Sequence, residues 1–440
     1  MKAPLAKAFL VFLAASLPAG PQCASAGGLA AEWLKIYGGE SQDSLEAVAA
    51  AGGGIVAAGT SFSGGWDVES NKGGYDVWIL KLARGGEVEF KRSIGGSGFD
   101  FKPSVAQASD GGFLVAGMTG SSDGDFQGLS LGNSDAFLAR LGRDGKTMWV
   151  KTYGGEDFDA ADAVLERPEG GYLLVGRSSS RAAGKGCGES GFPSPWAAAL
   201  DRDGGLSGSS CLGPGFAADF LSAAAAPGSD PVFVAGDTEG GNPLRYVAGS
   251  VGYDASFGKV REITSESGGG RIRAVAAVRG GGLAAGGFRR GPRKNSRCAS
   301  ALFAGFGPGM EAQWENSFEK ATSTFFTGMA RVKGGFVGVG SSLPDCSSTP
   351  AQNRALAVFA DAEGNALSHL VLRGGGPHLA NSAAVLEDGA VAVVGDVGAT
   401  DGDFSARRST GHYSNNDAVD GFVMVLKPES APQGLGRAPE

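Results

Sequence analysis

A glycine ends a short apolar run seven times along this chain, at Gly59, Gly117, Gly176, Gly236, Gly286, Gly340 and Gly395. The runs resemble "GGFLVAG", and successive glycines lie 58, 59, 60, 50, 54 and 55 residues apart. A period in this range signals a repeat architecture, in which no unit buries its own apolar faces and neighbours must stack to make a core. Every local reading must therefore hold for the other copies as well.

Within a unit, four short segments read as strands. "DAADAVLER" leads into a turn at Glu169, Gly170 and Gly171, and "YLLVG" follows, an apolar run short enough for a strand buried on both faces. "DAFLARL" alternates and ends at "GRDG", where Asp144-Gly145 suits a two-residue hairpin. "KTMWVKTYGG" then carries Trp149 and Tyr153 into a double glycine. Short links make these strands, A to D, antiparallel. Radial stacking of such units gives a β-propeller, whereas the coils of a parallel β-helix are much shorter than these repeats.

The expected fold is all-β, a seven-bladed β-propeller of four-stranded antiparallel blades. Repeat 7 stops after its third strand, "DGFVMVLKP", and its fourth is expected at the other end of the chain, where "EWLKIYGGE" matches "MWVKTYGGE". The N-terminal strand then completes the last blade and leaves no open edge between first and last blades. The propeller is expected over residues 27–428, with a disordered tail over 429–440. Glycine supplies 77 of 440 residues, far above a typical ~7%. Without a three-residue period this is a turn signal and not collagen, and 42% hydrophobic residues argue against disorder.

Lys2 and Lys7 precede the apolar run "AFLVFLAASL", and "ASA" ends at Ala26. That is the pattern of a secretory signal peptide over residues 1–26. The run is about half of what a membrane span needs and no later run approaches that length, so no transmembrane segment is expected after cleavage. Gln22 argues against a lipid anchor at Cys23, since such a signal wants a small residue there. The expected location is secreted or periplasmic, with cell-surface association as a variant. Four further cysteines, Cys187, Cys211, Cys298 and Cys346, suggest two disulfides. The loop positions favour Cys187 with Cys211 and Cys298 with Cys346, and no CxxC spacing points to a metal.

The pattern "YGG…D…A…V…GG(Y/F)LVAG…DAFLARL…DG…W" resembles the bacterial secreted β-propeller repeats often called SBBP repeats. It covers nearly all of the mature chain; repeats 1, 2, 3 and 7 match well, while repeats 4 to 6 have lost the leading double glycine or the aromatic. The resemblance implies a propeller fold and export, and leaves function open.

The repeated residues read as structural. The glycines of "YGG" allow positive φ or close backbone approach. Asp43, Asp100, Asp159 and Asp219 are expected to cap turn amides, and Trp33, Trp149 and Trp314 to pack between blades. Function is expected in what varies, the B-to-C loops, which share one face with the D-to-A links. Two features there suggest ligands. Asp123 and Asp125 in "SSDGDFQG", echoed by Asp401 and Asp403 in "ATDGDFSA", resemble the start of a calcium loop but lack the full ligand series. Arg289, Arg290, Arg293, Lys294 and Arg297 crowd one loop of a chain with a formal net charge of −8, a patch suited to an acidic polysaccharide or partner. The overall acidity argues against nucleic acid. Three histidines without metal-ligand spacing and no GxSxG elbow give no catalytic signal. The expectation is a monomeric, non-catalytic binding or scaffold protein holding an envelope or extracellular protein or polysaccharide, with no cofactor other than calcium. A carbohydrate-active enzyme, a glycoside hydrolase or lyase with its site at the propeller axis, is the alternative.

Overall fold

A computed structural model describes residues 29–189, 192–212, 218–224, 232–238, 246–263, 270–278, 282–290, 298–318, 323–344, 352–398, 401–404 and 419–428. The expected signal segment, the C-terminal tail, Arg293, Lys294, Arg297 and Cys346 lie outside the described residues. Those described form an all-β propeller of four-stranded antiparallel blades.

Strand β1 (Leu29–Tyr37) precedes six runs of four strands. The first three runs are β2–β5 (Ala47–Ala51, Gly54–Ser61, Asp76–Leu82, Val88–Ile94), β6–β9 (Asp100–Gln107, Phe113–Thr119, Asp135–Leu141, Thr147–Tyr153) and β10–β13 (Asp159–Glu166, Tyr172–Ser178, Ser194–Leu200, Leu206–Cys211). The next three are β14–β17 (Ala218–Ala224, Val232–Thr238, Tyr246–Val251, Phe257–Ile263), β18–β21 (Gly270–Val278, Gly282–Arg290, Ala299–Phe306, Ala312–Phe318) and β22–β25 (Ser323–Val332, Gly335–Leu343, Arg354–Asp361, Ala366–Val371). Strands β26–β28 (His378–Val385, Val391–Val397, Asp420–Pro428) end the series. Each run of four pairs in chain order, and the last sheet runs β1-β28-β27-β26. Trp33 lies opposite Val425 and Tyr37 opposite Gly421 in the antiparallel pair β1/β28.

The middle strands of a blade are mostly apolar because both faces are covered: every residue of β7 and of β8 is buried, Asp135 and Arg140 included. The core lies between sheets. Val56 and Ile79 of one blade meet Phe113 and Phe137 of the next, and Trp78 and Leu80 meet Val423 and Val425. The repeated glycine permits the innermost strand to approach: a Cβ on Gly59 would stand 1.7 Å from the Ser44 carbonyl oxygen. In the fifth repeat that position belongs to Gly287, which faces Ile272 and whose Cβ would meet the Arg271 carbonyl at 1.8 Å. The ruler residue Gly286 is one place out of register with the others.

At the blade junctions the repeated aspartates are buried hydrogen-bond hubs. Gly39, Gly96 and Gly155 donate their amides to Asp43, Asp100 and Asp159 at 2.6, 2.9 and 2.8 Å. Ser63, Ser121 and Ser180 donate hydroxyls to the same oxygens at 2.9, 2.8 and 2.7 Å. Ser61 and Thr119 donate to the other oxygen of Asp43 and Asp100. Asp219 does not belong to this set. Ala218 holds the equivalent place opposite Thr238, and Asp219 faces Asp237. The outer-strand aromatics clip adjacent blades as expected: the Trp33 indole donates to the Arg84 carbonyl at 3.1 Å, and the Tyr37 and Tyr153 hydroxyls donate to Gly86 and Gly204 carbonyls at 2.6 and 2.8 Å. Cys187 and Cys211 form a disulfide. Cys298 is also disulfide-bonded. Among the described residues no helix is long and apolar enough to cross a membrane.

Candidate functional site

The innermost strands share an irregularity that the sequence reading did not anticipate. Each carries a β-bulge three residues after the junction position. Ser44 and Thr60 exchange backbone hydrogen bonds at 2.8 and 3.2 Å, yet Ala47 faces Ala58, so Glu46 is extra. The same count leaves out Asp162 in β10, Leu221 in β14, Arg273 in β18, Thr327 in β22 and Asn381 in β26. In β6 the shift falls across Lys102 and Pro103, and proline suits a bulge because it has no N–H to leave unpaired. A bulge re-aims a side chain. Here it places Glu46, Lys102, Pro103, Asp162, Arg273, Thr327 and Asn381 around one axial cavity of about 500 Å³. The residue after each bulge is small: Ala47, Ser104, Ala163, Ala274, Gly328 and Ser382 line the same cavity.

A second polar layer stands behind this ring, from the residue that follows the ruler glycine. Thr60 donates to Glu46 Oε1 at 2.6 Å, and Ser44 to the same oxygen at 2.7 Å. Arg177 contacts Asp162 at 3.5 Å with both side chains buried. Asn381 donates to Asp396 Oδ2 at 3.0 Å, and the Leu45 amide to Oδ1 at 3.3 Å. Burial, reinforced by the Glu46 charge, pushes the Asp396 carboxyl up to about 7 against the hydrogen bonds from Asn381 and Leu45. A second cavity, about 550 Å³, opens beside the axis between Glu46, Thr60, Tyr75, Phe99, Phe101 and Lys102. Glu46 and Lys102 thus border both spaces.

The expected ligand residues are placed otherwise. Asp123 accepts the Ser97 amide at 2.7 Å, and Asp125 accepts the Gly95 amide at 2.9 Å and pairs with Lys72. Asp401 accepts the Gly375 amide at 2.6 Å and Asp403 the Arg373 amide at 2.8 Å. The two loops clasp two different blade junctions and are not brought together. Among the described residues no group of three or more His, Cys, Asp or Glu side chains is arranged to hold a metal ion. Arg289 pairs with Glu315 at 3.4 Å and donates to Ser317 at 2.9 Å along the side of its own blade. Arg290 ends β19.

The axial ring left one trace in the sequence, the small residue four places after each junction position, Ser222 of β14 included. A second trace is Gly-x-(Ser/Thr)-x-Ser, which supplies the hydroxyls of the hubs at Ser61/Ser63, Thr119/Ser121 and Ser180.

No family model matches the chain, and no curated protein matches it. Distant likenesses exist among solved structures. A protein of unknown function from Bacteroides caccae is 14% identical, covering 68% of this chain and 94% of its own, with a TM-score of 0.36. XC5397, a gluconolactonase from Xanthomonas campestris, is 11% identical over 93% and 99%, with a TM-score of 0.39. Sqt1 from Chaetomium thermophilum is 12% identical over 89% and 97%, with a TM-score of 0.47. At these scores the likenesses carry no argument about what this chain does.

Proposed function

We propose that this chain is an exported, non-catalytic binding or scaffold protein, and that its partner, a protein or polysaccharide, is held at the axial mouth on the face of the B-to-C loops and D-to-A links. The observation that carries this reading is the ring of bulges, which turns residues of six innermost strands away from regular pairing and toward a shared polar cavity. Bulges of this kind gather next to functional sites, and convergent polar groups are what fix a ligand's orientation in a pocket. We take the whole to be a closed seven-bladed ring whose last blade is completed by β1; the pairing of β1 with β28 and the packing of β2 on β26 support this. Export fits the Cys187–Cys211 disulfide and the signal-like residues 1–26. The SBBP-type kinship rests on the quoted motifs alone. Calcium at the Asp123/Asp125 and Asp401/Asp403 loops would add to clasps that already bind main-chain amides; equal melting midpoints with calcium and with chelator would reject it.

The test is retention. Residues 27–440, immobilised against native envelope extract, should capture one protein or polysaccharide component saturably, and Glu46→Gln or Asn381→Ala should weaken that capture. Retention no better than a control protein of equal charge would refute the reading.

One observation favours the enzyme alternative, namely a carboxyl that titrates near neutrality, Asp396, held beside the carboxylate Glu46. A carboxyl raised in this way by burial suits a general acid. Release of reducing sugar from a glycan panel, abolished in Asp396→Asn, would establish that activity.

A further inference from the structure

Two features of the mouth set it apart from the rest of the axial ring. The first is Lys102. Among the described residues it is the non-glycine member of an innermost strand with a left-handed backbone, φ 56°, and it immediately precedes Pro103, where such backbone is further restricted. Its side chain is exposed, and no hydrogen bond or ion pair among the described residues engages its ammonium. Held strain of this kind is a pointer to function. The second is a strip of aromatic rings. Phe62 and Phe99 are 47% and 59% exposed, and they flank Tyr75 with ring centroids 5.2 and 6.2 Å away. Tyr75 is fixed by donating its hydroxyl to Gln42 at 2.6 Å. Exposed large apolar side chains are unremarkable singly, but here Tyr75 and Phe99 line the cavity that Lys102 and Glu46 close, and Phe62 packs on Tyr75 beside it.

The chemistry of this corner is specific. The rings offer flat apolar faces. Beside them stand one unpartnered donor, the Lys102 ammonium, and one acceptor, Glu46 Oε2, since both hydroxyl donors to Glu46 bind Oε1. A purely apolar occupant would bury the ammonium and the carboxylate oxygen without partners, which is costly. A pyranose ring carries a C–H face on one side and hydroxyls around its edge, so it satisfies all three at once. A cavity of about 550 Å³ also lies within the usual range for a small-molecule subsite.

We propose that the mouth above the first two blades is a glycan subsite, in which Tyr75 and Phe99 stack on a sugar ring while Lys102 and Glu46 bind its hydroxyls. This rests on the binding reading and names its ligand class. A uronate carboxylate on Lys102 and a neutral ring hydroxyl are the two sources of the contact to the ammonium.

The experiment is titration calorimetry of residues 27–440 with two probes, cello-oligosaccharides and oligogalacturonates, on the native sequence and on Phe99→Ala and Lys102→Gly. Both positions are exposed, and glycine at 102 relieves the left-handed strain, so melting temperatures should hold or, for Lys102→Gly, rise. The expected result is binding of one probe, weakened roughly tenfold in each variant, as truncation of a central contact does. A lysine present for structural reasons would not separate affinity from stability in this way. Glycan binding unchanged in both variants would overturn the site. If neither probe binds while the chain still captures a protein from envelope extract, the glycan class is overturned and the binding role stands; if nothing is captured, both fall.

Discussion

Asp100 shows how one side chain joins two blades: its carboxylate takes the Gly96 amide and the hydroxyls of Thr119 and Ser121, and it is fully buried. Asp100→Ala would leave three buried donors without an acceptor, each costing about 1–3 kcal/mol. A loss of roughly 3 kcal/mol or more, read as a fall in melting temperature by calorimetry, is therefore expected, and an unchanged midpoint would remove the hub from the account. Burial also sets a pH dependence. It pushes the Asp76 carboxyl up to about 6, with the nearby Asp100 charge adding to the effect, and it pushes the Asp396 carboxyl up to about 7. An aspartate raised above its ordinary 3.8 favours the folded state while protonated. That contribution is complete below about 3.8 and is lost as pH rises through 6 and 7. The melting temperature should accordingly decline between pH 5 and pH 8, with Asp396→Asn flattening the upper part of that decline. A slope that Asp396→Asn leaves untouched would show that Asp396 is not protonated in the fold.

At the scale of elements, what was legible in the sequence is what local chemistry decides. Turn glycines, largely apolar middle strands and the outer-strand tryptophans each announce themselves within ten residues, and the structure has them in those roles. The bulges were not legible, because a bulge is a relation between two strands: Asp162 is extra only relative to Ala161 facing Gly176 and Ala163 facing Val175. The same blindness to register placed Gly286 where Gly287 belongs and enlisted Asp219 among the hubs. The Cys187–Cys211 link was readable because Cys187 falls in the link between the second and third strands of a blade and Cys211 ends its fourth, and it closes a separation of 24 residues. Loop-closure entropy over such a span is worth about 3 kcal/mol. Cys187→Ser with Cys211→Ser should lower the melting temperature by that order, and proteolysis should then open the 178–194 link first. If the doubly substituted chain melts and resists protease as the native one does, the staple carries no stability.

Over the whole molecule, the sequence reading sought ligands at the variable loops, where aspartates and arginines are conspicuous. The structure spends those aspartates on junction amides and gathers the polar residues of successive innermost strands at the axis instead, a convergence that only the packed assembly creates. Strand β1 pairs with β28 in the same assembly. Its Leu29, Leu34, Ile36 and Tyr37 are buried, against partners from the last sheets and the first. At about 2 kcal/mol for each such side chain, the strand supplies roughly 8 kcal/mol, comparable with the 5–15 kcal/mol by which a folded domain is stable at all. Without it, β28 also presents a bare edge of amides and carbonyls, the template on which chains aggregate. A chain beginning after Tyr37 should therefore fail to give a monomeric, cooperatively melting species on size exclusion and calorimetry. Adding a peptide of residues 29–37 during refolding should restore both, because the missing interactions are those of a strand that can dock from outside. A truncated chain that stays monomeric and melts within a few degrees of the native one would mean that β28 tolerates an open edge and that the ring holds by the other junctions alone.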